Sequence, residues 1–310
     1  GIKPEEVDSI LSIPFMPISF FRDHLVMTGG GEAERIFLSS GTTAIRGDTG
    51  DMKNQADTEV RNQSGAVNPK RSRHEVKSLT LYNESLERTF RMFYGDPGGY
   101  AITGLLPSYL EREDSSLIYM VNRLMQLSGN DAGGFFPDDH TALLQTIEKA
   151  RAARLKVLLM GVTFALLDLA EKHPVDLSDV IIMETGGMKG RRREMIREEV
   201  HEIIKKAFGV SSVHSEYGMT ELLSQAYSRG DGIFRTPPWM KVLIRDSHDP
   251  MSHSSDAGAA GGISVIDLAN LWSCSFLATD DLGRMHPGGL FEVQGRFDEA
   301  DIRGCNLLVS

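Results

Sequence analysis

Cysteine is nearly absent: the 310-residue chain has two, Cys274 and Cys305. Two thiols cannot build a disulfide framework or a multi-thiolate zinc site, so a reducing, cytoplasmic setting is the simplest expectation. Positive charge is also scarce. Lys and Arg number 33 against 43 Asp and Glu, a net charge of -10. That argues against sequence-independent nucleic-acid binding, which needs a basic face. No apolar run approaches the roughly 20 residues of a membrane span. Residues 1–13 lack the basic-then-apolar order of a secretory signal. The 9 histidines show no ligand spacing such as H-E-x-x-H, so no zinc site is expected. What remains is a globular composition, 41% hydrophobic and 25% charged, in a length that suits one large domain or two ordinary ones.

Periodicity predicts alternating elements. Helices are expected over 115–126, 141–154, 164–171 and 191–208, and buried strands over 35–38, 157–160, 180–183 and 211–214. In 191–208 the apolar stripe runs Ile196, Val200, Ile203, Ile204 and Ala207, with Gly209 as the stop. This order predicts an α/β fold, a mixed sheet flanked by helices. Residues 46–75 read as a long polar surface stretch. From about 225 the runs shorten to 240–244, 263–267, 274–278 and 290–293, separated by Gly, Pro and Asp. The expected division is an α/β core over 1–224 and a smaller β-rich subdomain over 225–310.

Five segments could carry chemistry. Ser39-Ser40-Gly41-Thr42-Thr43 follows a strand and offers hydroxyls and backbone N–H groups to phosphate oxygens, although such a cluster is also an ordinary loop. It is not a Walker loop, since no Gly-Lys-Thr follows. Glu184-Thr185-Gly186-Gly187-Met188-Lys189-Gly190 links a buried strand to a helix, and its glycines permit close backbone approach. Arg191, Arg192 and Arg193 would then oppose the helix dipole, or form a solvated turn balanced by nearby glutamates. In Glu216-Tyr217-Gly218-Met219-Thr220-Glu221 the tyrosine can stack on a flat base, and the glutamate can meet a magnesium-bound phosphate; Thr220 can equally cap a helix. Thr279-Asp280-Asp281-Leu282-Gly283 sets carboxylates beyond a strand, where they can accept from ribose hydroxyls or simply make a turn. The last segment runs from Gly295-Arg296-Phe297-Asp298 to Asp301-Ile302-Arg303-Gly304-Cys305. A cysteine beside an arginine can act as a nucleophile, or be an inert small residue. Cys274 and His214 read as packing residues.

The order of these segments resembles the motif order of the adenylate-forming superfamily, from about residue 36 to the C-terminus. The acyl-protein synthetases (LuxE-like), relatives of phenylacetate-CoA ligase, look most similar. Ile13-Pro14-Phe15-Met16-Pro17-Ile18, Ser116-Leu117-Ile118-Tyr119-Met120 and Ala300-Asp301-Ile302-Arg303-Gly304-Cys305 carry that likeness. The resemblance implies ATP-dependent activation of a carboxylic acid, fatty or aryl, to an acyl-adenylate. Transfer to a thiol follows, either Cys305 with delivery to a partner reductase or carrier protein, or CoA. It implies that Ser39 to Thr43 hold the β- and γ-phosphates, and that Gly186 and Gly187 line the adenine and acyl pocket. Tyr217, with Gly218 and Met219 beside it, would stack on adenine. Thr220 and Glu221 would meet the α-phosphate and Mg²⁺, Asp281 the ribose, and Arg296 the hinge. The chain departs from the pattern where Ala44-Ile45-Arg46-Gly47 replaces the usual Gly-x-Pro-Lys, and where Asp280 replaces glycine. It ends just past the hinge motif, so the full C-terminal domain of larger relatives is expected to be absent. Lys189, Arg296 or Arg303 would then supply the missing positive charge, while Arg46 would stand in for the lysine of the phosphate loop. A nucleotide-binding member without turnover is the remaining alternative.

Overall fold

The computed structural model describes residues 3, 5, 7–40, 71–107, 114–186 and 195–297. Among the described residues no helix is long and apolar enough to cross a membrane. The N-terminal part holds β1 (Met16–Pro17), the short helix α1 (Phe20–Asp23), and an antiparallel pair of β2 (Arg35–Leu38) with β3 (Arg73–Val76). Helix α2 (Leu79–Tyr94) starts where the Ser78 hydroxyl accepts from the Leu81 N–H and stops at Gly95, whose φ of 83° suits glycine. Its Tyr82, Leu86, Phe90 and Phe93 are buried on one face. The other face carries Glu84–Arg88 and Glu87–Arg91 pairs, worth only tenths of a kcal/mol each, so burial is what holds this helix.

The α/β part follows in chain order: β4 (Tyr100–Leu105), α3 (Ser116–Ser128), β5 (Gly134–Phe135), α4 (His140–Ala152), β6 (Lys156–Gly161), α5 (Thr163–Lys172), β7 (Ile181–Thr185), α6 (Arg197–Phe208), β8 (His214–Tyr217) and β9 (Ala226–Ser228). They form a six-stranded sheet, β5-β4-β6-β7-β8-β9, parallel except where β9 runs antiparallel to β8. Leu158, Leu159 and Met160 on β6 are fully buried, as a parallel strand covered on both faces requires. The mixed α/β fold with flanking helices is therefore the fold found.

Two element expectations change. Helix α6 starts at Arg197, and Ile196 precedes it with 57% exposure, so Ile196 leaves the apolar stripe. Its first turn carries Glu198 and Glu199 and its last Lys205 and Lys206, which suits the helix dipole. The arginines at 191–193 lie outside the described residues and before the helix. The strand expected at 211–214 is shifted to His214–Tyr217. Val213, Ser215 and Tyr217 are the buried alternates, so the strand period continues into the motif itself.

The second sheet contains β10 (Ile233–Phe234), β11 (Met240–Arg245), β12 (His253–Ser254), β13 (Ala260–Asp267), β14 (Phe276–His286) and β15 (Leu290–Arg296). Its order is β10-β15-β14-β13-β11-β12, antiparallel throughout, with β1 added parallel to β14. The chain changes sheets between β9 and β10, a few residues past 225, and residues near 16 return to the second sheet. Asp280 and Asp281 lie inside β14, not in a turn after it. The strand passes through them and shifts register between Leu282 and Gly283. At Gly283 a Cβ would lie 2.5 Å from the Glu292 carbonyl oxygen, so the bulge requires glycine.

Candidate functional site

Strand alternation at the end of β8 sends Tyr217 toward the second sheet and Glu216 to the opposite face. Tyr217 packs edge-on against Phe234 and Phe291, at centroid distances of 5.9 and 5.5 Å. Its hydroxyl donates to Asp281 Oδ2 at 2.8 Å. Burial and the Asp281 charge both push this phenol well above its ordinary pKa, so it stays a donor. The ring is 8% exposed, and the engaged part of Tyr217 is its hydroxyl. Asp281 on β14 is the cross-strand partner of Arg296 on β15. Arg296 Nη2 in turn donates to Asp280 Oδ2 at 3.4 Å.

Beyond Tyr217 the chain makes an irregular turn through Gly218, Met219, Thr220 and Glu221, with no helix for Thr220 to cap. Met219 packs on the second-sheet core. Backbone contacts hold the rest. His74 Nδ1 donates to the Thr220 carbonyl at 2.9 Å, and its Nε2 meets the Ser273 hydroxyl at 3.1 Å. Asn270 Nδ2 donates to the Glu221 carbonyl at 2.8 Å. Asp267 accepts from the Leu223 and Ser224 N–H groups and the Ser224 hydroxyl. The Glu221 carboxyl accepts from Ser72 and lies within electrostatic reach of Asp281 and Arg296. Burial raises its pKa most, the Ser72 hydrogen bond lowers it, Asp281 raises it and Arg296 lowers it. A buried carboxylate disfavoured in its charged form is a natural ligand for an arriving cation. Among the described residues no group of three or more His, Cys, Asp or Glu could hold a metal. The single Glu221 carboxyl is a hard oxygen donor of the kind Mg²⁺ takes, an ion that commonly binds one or two carboxylates and completes its shell from phosphate oxygens and water.

The start of the phosphate-loop candidate joins the same cluster. The Ser39 N–H donates to the Ser72 carbonyl at 3.0 Å, and the Ser72 N–H donates to Ser39 Oγ at 2.9 Å. Arg71 donates to the carbonyls of Ser39 at 2.6 Å and Leu38 at 3.3 Å, and pairs with Asp114 at 2.9 Å. The chain that leaves after Ser40 and returns at Arg71 thus has pinned ends, and Ser72 links them to Glu221. This corrects the polar surface reading of 46–75 at its far end, where Ser72 and His74 are buried. Gly41, Thr42, Thr43 and Arg46 lie outside the described residues, as do Gly187, Lys189, Arg303 and Cys305.

Gly186 has a φ of 49° and open space where a Cβ would stand, so the backbone there is approachable. Neighbouring Glu184 has a structural task. It accepts from Thr163 Oγ1 at 3.0 Å and meets His201 Nε2 at 2.9 Å, tying β7 to α5 and α6. Burial raises its pKa, but the His201 hydrogen bond, Arg197 and Thr163 outweigh that and leave it low. Cys274 is half-buried, its Sγ donating to the Phe276 carbonyl, and burial pushes the thiol up, as a packing residue should behave. His214 is also satisfied, by the Tyr94 hydroxyl at 3.1 Å.

The sequence therefore pointed to Ser39, Tyr217, Glu221, Asp281 and Arg296, and the fold brings them together. It missed Arg71, Ser72, His74, Asp267 and Asn270, because a frame residue works through backbone groups distant in sequence. One frame residue has a measurable signature. Burial lowers the His74 pKa from 6.5 to about 4. An unfolded chain binds this proton below pH 6.5 and the folded chain does not, so stability falls as pH drops from 6.5 to 4. The loss is on the order of 3 kcal/mol. Glu216, raised from 4.5 to about 7 by burial, acts in the opposite direction over a similar window. Comparing wild type with His74→Gln isolates the first effect. Urea denaturation should show the variant losing less stability on acidification, and equal losses would contradict the assignment.

A scan against protein-family models and a search of curated proteins match nothing. Solved structures do match. O-succinylbenzoate coenzyme A synthetase (MenE) of Bacillus subtilis, in complex with ATP and magnesium ion, is 15% identical with a TM-score of 0.56, over 87% of this chain and 51% of that one. A luciferase-like enzyme from the nonluminescent mealworm Zophobas morio is 17% identical with a TM-score of 0.54, over 74% and 56%. A malonyl-CoA ligase with methylmalonyl-CoA and AMP bound is 18% identical with a TM-score of 0.52, over 87% and 54%. The chain spans about half the length of these structures and shares their fold.

Proposed function

We propose that this chain uses ATP to activate a carboxylic acid, fatty or aryl, as an acyl-adenylate, and passes the acyl group to a thiol. The observation that carries this reading is the convergence of the Tyr217–Asp281 hydrogen bond, Arg296, the buried Glu221 and the pinned Ser39–Ser72 crossing at one place. Asp281 accepts from the ribose hydroxyls, with Tyr217 fixing its orientation and Arg296 beside it. The Ser39 to Thr43 loop receives the β- and γ-phosphates, and Gly186 with Gly187 admits adenine and acid to the backbone. Glu221 and Thr220 stand at the α-phosphate; Mg²⁺ held by Glu221 would neutralise developing phosphate charge. The acid carboxylate attacks the α-phosphorus and pyrophosphate leaves. A thiolate then attacks the acyl carbon and AMP leaves. Lys189, Arg46 and Arg303 are the candidate cations for the first step.

Cys305 is the proposed thiol, with onward delivery to a reductase or carrier protein in a cytoplasmic setting, as in acyl-protein synthetases. Labelled acid with ATP should leave a hydroxylamine-sensitive label on the protein. Cys305→Ser should remove the label and leave adenylate formation within about twofold of wild type. Labelling that survives the substitution rejects Cys305. The alternative acceptor, CoA, is favoured by the coenzyme A synthetase and ligase among the fold's neighbours. It is separated by product analysis with and without CoA.

A further inference from the structure

Strand β14 leaves its ladder with β13 where it carries Asp280 and Asp281. Gly262 on β13 pairs with Leu282 and Ser264 pairs with Ala278, so Ile263 alone faces Thr279, Asp280 and Asp281. A bulge of this kind takes backbone groups out of the ladder, and they need other partners. Thr279, which is 1% exposed, supplies one. Its hydroxyl donates to the Ile263 carbonyl at 2.8 Å and accepts from the Asp281 N–H at 3.2 Å. Arg245, the last residue of β11, supplies another. Its Nη2 donates to the Thr279 carbonyl at 2.9 Å, and its Nη1 donates to the hydroxyl of the fully buried Ser264 at 3.2 Å.

Arg245 must cross β13 to reach β14, and Gly262 makes the crossing possible. The two residues are register partners on β11 and β13. A Cβ at Gly262 would stand 2.7 Å from Arg245 Nη2 and 3.0 Å from Phe297 Cε2. With glycine there, the guanidinium carbon lies 5.6 Å from the centre of the Phe297 ring, within cation–π range. Phe297 directly follows Arg296, whose Nη2 donates to Asp280 Oδ2. The Asp280 charge also acts on Arg245. One guanidinium thus meets both the strand that carries Asp281 and the segment that carries Arg296. Its planar fork serves the Thr279 carbonyl and the Ser264 hydroxyl at once, which a single ammonium does less well.

We propose that Arg245 is a positioning residue of the nucleotide site, holding the β14 bulge so that Asp281 stands at the ribose hydroxyls. The proposal rests on the nucleotide reading above and adds a residue that acts through Asp281. A strand that slips by one residue turns its side chains to the opposite face. The pinned carbonyl of Thr279 lies two residues before Asp281, so the pin fixes which face the carboxylate takes. Releasing it should weaken the ribose contact and spare the phosphate contacts, which come from the Ser39 and Glu221 segments.

The test is calorimetric binding of ATP and of 2′,3′-dideoxy-ATP, each with Mg²⁺, to the full chain. Wild type should bind ATP about 10-fold or more tightly than the dideoxy analogue, since a carboxylate placed to accept from hydroxyls is left unpaired without them. Arg245→Met should lower that preference to about twofold, through weaker ATP binding, with affinity for the dideoxy analogue nearly unchanged. Arg245→Lys keeps a charged donor without the fork and should give an intermediate preference; it carries the test if melting curves show that Arg245→Met does not fold. A wild-type preference in the folded Arg245 variants overturns the proposal. So does an equal loss of both affinities at an unchanged ratio, which would make Arg245 structural only. Either result leaves the nucleotide reading standing. Wild type that binds ATP without regard to the ribose hydroxyls rejects Asp281 as their acceptor, and wild type that binds no ATP rejects the nucleotide reading itself; the proposal falls with each.

Discussion

Asp267→Ala is expected to lose about 3–5 kcal/mol of folding stability, a large share of the roughly 5–15 kcal/mol of an ordinary domain. The side chain is fully buried at the end of β13. Its Oδ2 accepts from the Leu223 and Ser224 N–H groups, each at 2.9 Å. Its Oδ1 accepts from the Ser224 hydroxyl at 2.6 Å and the Ala269 N–H at 3.1 Å. Burial raises its pKa, and these four donors lower it again. Alanine strands the donors in a site closed to water, at about 1–3 kcal/mol for an unpaired group. Asn keeps one acceptor oxygen, so Asp267→Asn should lose roughly half as much. Because this carboxylate joins the second sheet to the segment that carries Glu221, acid activation should fall with stability. A melting curve for Asp267→Ala that overlays wild type would remove it from the frame.

Glu221→Gln should separate stability from chemistry. The glutamate is 6% exposed, and its charged form is disfavoured by burial. A neutral isostere should therefore fold as well as wild type or slightly better at neutral pH. ATP-dependent activation should nevertheless fall about 10²- to 10³-fold, since the substitution removes a charge placed where phosphate charge and its counter-ion develop. The loss should appear mainly in the rate, with nucleotide affinity changed less. Activity within a few-fold of wild type would place the essential carboxylate elsewhere. Joint loss of activity and melting temperature would make Glu221 structural.

These two residues show what the sequence discloses and what it withholds. Glu221 was legible because Tyr217, Gly218 and Thr220 surround it in one contiguous motif. Asp267 was not: it sits in an apolar run that reads as an ordinary strand, and its partners are backbone N–H groups about 40 residues away. The helices α3, α4 and α5 were legible to within a few residues because burial follows their period. The strand at 211–214 was misplaced because Tyr217 was read as a loop residue able to stack on a base. Its alternation with Val213 and Ser215 marks it as the end of β8. Asp280 and Asp281 look like a turn pair, yet β14 runs through them, its irregularity taken up at Gly283. The pairing of Glu216 with Tyr227 was also hidden, since it depends on β9 lying beside β8.

The central claim is that these converging groups form an acid-activating nucleotide site, and acid-dependent exchange of labelled pyrophosphate into ATP tests it most directly. A screen over fatty, aryl, hydroxy and amino acids of graded length should find exchange that requires both Mg²⁺ and the acid, and that is lost in Glu221→Gln. ATP binding without exchange for any acid would contradict the claim and leave a nucleotide-binding protein without turnover.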